Sequence, residues 1–123
     1  MYEIVRGDTF TLPIVLNSGT KEYFSHYTLQ DGEKLYVAIS RPGQSFEEAD
    51  IRIKLDSNSP RNSSGDVLLS ILPYYTDNMY TGKYYLNIKY VDSEGNVTSI
   101  VNDMLFYISG TNPPDMPVSR VVF

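Results

Sequence analysis

Tyr80-Thr81-Gly82-Lys83-Tyr84-Tyr85-Leu86 is the most specific local signal in the chain, and its reading decides the fold. Tyr84, Leu86, Ile88 and Tyr90 recur every second residue, the period of a strand with one buried face. Gly82 permits a tight approach to that strand. In two-sheet sandwiches, a tyrosine near the start of a late strand folds its hydroxyl back onto upstream backbone, two residues before a core position. Tyr84 fits the tyrosine and Leu86 the core position. A buried tyrosine must satisfy its hydroxyl, and a nearby carbonyl is the nearest acceptor. Read as a plain amphipathic strand instead, the stretch predicts the same architecture.

The period of two continues outward. From Asp8 to Leu16, Phe10, Leu12, Ile14 and Leu16 share a face, with Thr9, Thr11, Pro13 and Val15 opposite. Pro13 has no N–H to donate, which predicts an edge strand or a bulge. Leu35, Val37 and Ile39 alternate with Tyr36, Ala38 and Ser40. Ile51, Ile53 and Leu55 alternate with Arg52 and Lys54, a strand wet on one side. Residues 66–72 are apolar on both faces and are expected to be buried on both. Residues 83–91, 97–108 and a short 2–5 segment bring the total to about seven strands. Residues 1–109 are therefore expected to form one all-β, immunoglobulin-like antiparallel β-sandwich. Its expected core is Phe10, Leu12, Ile14, Val37, Ile39, Leu69, Ile71, Leu86, Ile88, Leu105 and Tyr107.

Turn residues fall between these strands. Asp31-Gly32, Arg41-Pro42-Gly43, Ser64-Gly65-Asp66 and Ser93-Glu94-Gly95-Asn96 tolerate positive φ or pre-set a bend, and the last predicts a hairpin. Residues 46–49 have room for one helical turn at most, and 73–80 for another. Residues 57–64 read as a loop, and so does the aperiodic cluster Tyr23, Phe24, His26 and Tyr27.

From residue 110 the pattern changes. Ser109-Gly110-Thr111-Asn112-Pro113-Pro114 reads as a stop and an extended linker, because consecutive prolines favour a polyproline-like path. Residues 110–123 are expected to be an extended tail carrying Met116, Val118, Val121, Val122 and Phe123. That apolar segment is disfavoured in water. It either folds back on its own sheet or binds a partner by strand pairing or groove filling.

Composition limits the chemistry. The 123 residues suit one core, and the net charge of -5 with scattered Lys and Arg argues against a nucleic-acid surface. Without cysteine there is no disulfide or thiolate metal site, and a single histidine, His26, precludes a two-histidine one. A Ser-His-Asp nucleophile has no support here. The fifteen carboxylates lie mostly in turns or in the patch Glu47-Glu48-Asp50, where turn formation and solubility account for them. The expectation is no enzyme, no cofactor and no metal. The Met1–Arg6 segment lacks a signal-peptide core, and no apolar run is long enough to span a bilayer, so neither secretion nor a membrane role is expected.

Three segments resemble a recurrent module of bacteriophage structural proteins. They are Ile4-Val5-Arg6-Gly7-Asp8-Thr9-Phe10, Met79-Tyr80-Thr81-Gly82-Lys83-Tyr84-Tyr85-Leu86-Asn87-Ile88 and Val91-Asp92-Ser93-Glu94-Gly95-Asn96-Val97. The pattern is similar to the N-terminal domain of phage baseplate upper proteins and to related immunoglobulin-like domains of phage heads and tails. Baseplate upper proteins carry further domains, which leaves a head or neck accessory protein equally open. The resemblance implies a virion protein that contacts other virion proteins or copies of itself, and it carries no catalytic residue. A carbohydrate-binding or host-adhesion module is the alternative, with Tyr23, Tyr27, Tyr74 or Tyr75 as stacking platforms.

Overall fold

Strands dominate the computed structural model, which describes residues 2–19, 24–77 and 79–110. The protein is all-β. Among the described residues there are nine strands: β1 (Tyr2–Val5), β2 (Phe10–Ile14), β3 (Leu16–Gly19), β4 (Phe24–Tyr27), β5 (Lys34–Ser40), β6 (Ile51–Asp56), β7 (Val67–Ile71), β8 (Gly82–Val91) and β9 (Val97–Ser109). A 3-10 turn spans Phe46–Glu48 and a one-turn helix, α1, spans Pro73–Thr76. Pro73 opens α1, where its missing N–H would be unpaired in any case.

The strands form a five-stranded sheet, β1-β9-β8-β5-β6, and two pairs, β2-β7 and β3-β4. At its centre Val37 stands between Ile88 and Ile53, and Ile39 between Leu86 and Ile51. These cross-strand apolar pairs fix the register of β5, because a slip of one residue would turn its apolar side chains to water. The inner face of this sheet and the β2-β7 pair contribute to one apolar cluster. The Phe10 ring of β2 meets Phe106 of β9 edge-on at 5.7 Å between centroids. Ile14, Val37, Ile39, Leu69, Ile71, Leu86 and Ile88 of the expected core are all buried, Phe10 is half-buried against it, and Leu12 is also half-buried.

Several expectations need correction. The strand expected from Asp8 to Leu16 breaks at the exposed Val15. Ile14 faces Val67, where β7 begins, so β2 runs out of partner there and the chain next pairs with β4. The aperiodic segment expected as a loop supplies β4, a strand held by pairing with β3 and not announced by alternation. These two short strands raise the total from about seven to nine. Strand β7 alternates and is not buried on both faces, since Leu68 and Ser70 are half-buried. The sheet is not wholly antiparallel, because β1 runs parallel to β9. The two strands come from opposite ends of the described chain, and no short hairpin constrains their direction.

The expected face of β9 is reversed in its second half. Phe106 and Ile108 are fully buried, whereas Leu105 is half-buried and Tyr107 is exposed. Irregularities between Leu86 and Ile88 and between Ile88 and Lys89 make β9 use two more residues than β8 over their paired length. Val101 and Met104 both pack against the core, so the inward parity changes between them. Asp103, in that interval, has a left-handed φ of 49°. One extra residue at a bulge turns every later side chain to the other face.

Candidate functional site

The outer face of the five-stranded sheet carries the side chains that β5, β6 and β8 turn away from the core. Lys34, Tyr36, Arg52, Lys54, Lys83, Tyr85, Asn87 and Lys89 alternate with buried neighbours. The cations are scattered only along the linear chain, because period two brings five of them to this face. Over the face lies the segment between β5 and β6. Arg41 Nε is 3.0 Å from Asp50 Oδ2, and Gln44 Nε2 donates to Asp50 Oδ1 at 3.2 Å. Gln44 Oε1 accepts from Arg41 N–H at 2.8 Å. The segment is thereby clamped into a loop whose Phe46 ring sits 4.4 Å from Lys89 Nζ. A cation over an aromatic face is attractive, so this contact ties the loop to β8.

Between the loop and the bulge of β9 is an open groove of about 530 Å³, lined by Ser40, Arg41, Gly43, Gln44, Phe46, Tyr85, Asn87, Lys89 and Asp103. The bulge places Asp103, whose backbone N–H donates to Asn87 Oδ1 at 2.9 Å. Among the described residues the Asp103 carboxylate has no hydrogen bond or ion pair. Sequence reasoning named none of these residues as a site. The available signal was Asn102-Asp103, two poor strand formers interrupting an otherwise strand-like run.

Two polar clusters elsewhere tie strands together. Glu33, buried before β5, accepts from Tyr27 hydroxyl at 2.6 Å to each carboxylate oxygen, from Gln30 N–H at 2.7 Å, and from Tyr90 hydroxyl. Burial pushes its carboxyl up, but the bonds from Tyr27, Tyr90 and Gln30 outweigh that and hold it below the ordinary range. Burial and the same carboxylate push the Tyr90 hydroxyl far up. An ionised, fully bonded carboxylate has no proton to give, so this cluster acts as a clamp between β4, β5 and β8.

His26 Nε2 lies 2.5 Å from Asp66 Oδ1, joining β4 to the start of β7. The His26 bond holds the Asp66 carboxyl low, burial opposes it, and Asn62 adds a further lowering bond. Asp66, expected as a turn residue, is buried.

The residues singled out in the sequence fall in different places. Tyr84 is buried at 2% exposure and its hydroxyl donates to Tyr80 C=O at 2.6 Å, as the motif predicts. Tyr27 is spent on Glu33, and the Tyr74 and Tyr75 rings stack on each other at 4.4 Å and 32°. Met116, Val118, Val121, Val122, Phe123 and Tyr23 lie outside the described residues. No protein-family model, curated protein or solved structure matches this chain.

Proposed function

We propose that this chain is a non-enzymatic, immunoglobulin-like building block or accessory protein of a bacteriophage particle, held there by protein–protein contacts. The observation that carries the reading is the Tyr84 hydroxyl on Tyr80 C=O, inside the motif on which the resemblance rests. In immunoglobulin-like sandwiches that bond belongs to the sixth strand, at the corner where the chain crosses from the fifth. Here α1 makes that crossing between β7 and β8.

Strand order supports the same reading. The run β9-β8-β5-β6 corresponds to the G-F-C-C′ order of such sheets, and β2-β7 to the B-E pair across the core. On this reading the β3-β4 ribbon is an addition between the second and third sandwich strands.

Attachment has two supports. Among the described residues, β1 and β6 each pair on one side only, and a free edge accepts a further strand. Strand β9 ends beside the edge strand β1, where Arg6 N–H donates to Ser109 C=O at 2.6 Å, and the sequence that follows includes the apolar 116–123 stretch. Mass spectrometry of particles purified from a lysate of cells carrying the gene tests the assignment. The chain should co-purify with intact particles in a fixed ratio to the other virion proteins. Recovery only from the soluble fraction would contradict it.

A further inference from the structure

We propose that the groove on the outer face of the five-stranded sheet binds a carbohydrate, with Asp103, Asn87, Lys89 and Tyr85 as its recognition groups. This goes beyond particle assembly and does not rest on it.

The first support is unspent hydrogen-bonding capacity. Asn87 uses its Oδ1 on Asp103 N–H, and among the described residues its amide N–H groups have no acceptor. Among the described residues, Lys89 Nζ has the Phe46 ring as its partner and Tyr85 hydroxyl has no bond. Among the described residues, nothing donates to the Asp103 carboxylate. The groove thus offers an acceptor-only carboxylate, amide and ammonium donors, and a phenol that does either. Sugar hydroxyls donate and accept at once, so a ligand with neighbouring hydroxyls uses both kinds.

The second support is the pair of aromatic residues beside these groups. Phe46 and Tyr85 both line the groove, and the C–H face of a pyranose packs on aromatic surface. Third, the groove is built. The loop wall is clamped by the Asp50 bonds and by Phe46 on Lys89. The opposite wall is a bulge holding a non-glycine residue at positive φ, and such features are concentrated at binding sites, where they re-aim a side chain. A nucleic acid fits less well, because the unpaired Asp103 carboxylate repels phosphate.

The test is an array of polysaccharides and oligosaccharides of diverse composition probed with the full chain, with amide chemical-shift mapping of any hit. Asp103→Gly is the informative variant, since glycine accepts the positive φ while the side chain and its carboxylate are removed. Tyr85→Ala is the second, and a dispersed amide spectrum confirms that each variant is folded. The expected result is binding to at least one polysaccharide, with shifts at residues 40–46, 85–89 and 101–104. Each substitution should weaken it about tenfold or more, the loss of one good hydrogen bond or stacking contact. No binding anywhere on the array overturns the proposal. So does binding that survives both substitutions, shifts that map elsewhere, or saturable binding to an oligothymidine probe but to no sugar.

Discussion

Tyr84 shows how one hydroxyl ties a strand to the turn before it. Its ring fills the core while its O–H donates to Tyr80 C=O four residues upstream. Tyr84→Phe keeps the ring and strands the carbonyl. It should cost roughly 1 kcal/mol or somewhat more, read as a lower denaturant midpoint at unchanged slope. Burial, with Asp50 adding, raises the Tyr84 hydroxyl above its ordinary value, and Tyr90 is raised as well. Their neutral forms are favoured in the folded state, so the associated stability is full below about pH 10 and is lost as pH rises further. Glu33 has the opposite sign, because its lowered carboxyl favours the ionised form. Its contribution is present above about pH 4.3 and is lost as pH falls through the lower native value. Urea midpoints of the native chain and Glu33→Gln should therefore differ at neutral pH and converge in acid. A constant difference across that range would contradict the clamp. Tyr84 was legible in the sequence because its partner is local. Glu33 was not, because Tyr90 is 57 positions away and joins it only through the β5–β8 register.

At the scale of an element, β9 separates what alternation reveals from what it hides. Strands β5, β6 and β8 were legible, since their apolar residues recur without interruption and fall on one face. Leu86→Ala in β8 should cost on the order of 2–5 kcal/mol, as large-to-small changes in a packed core do. In β9 the same rule selected Leu105 and Tyr107, and the bulge at Asp103 turned that choice around. A bulge leaves no periodic signature, and the preceding Val101 fits the unbroken pattern. Paired substitutions test the corrected face. Phe106→Ala should destabilise by about 3–5 kcal/mol, whereas Tyr107→Ala should stay within about 0.5 kcal/mol. Equal effects would place the two side chains in equivalent environments and remove the bulge. The groove was illegible for the same reason, since Asp103 reaches Asn87 only through that irregularity.

For the whole molecule, the sequence contained the β character, the hairpin at 92–96, the one-turn helix after Pro73 and most of the core. Each rests on short-range spacing or turn chemistry. The strand order, the parallel β1-β9 pair and the gathering of cations on one face depend on pairing across the full chain, which no local pattern encodes. Beyond those lies the proposal central to the account, that the apolar 116–123 segment joins residues 1–109 to neighbouring proteins rather than folding back on their own sheet. Truncation after Gly110, followed by melting and by sedimentation or particle incorporation, tests it most directly. The account predicts an unchanged melting temperature together with loss of assembly. A shortened chain that melts several degrees lower as an isolated monomer would assign the segment to the domain itself and contradict the claim.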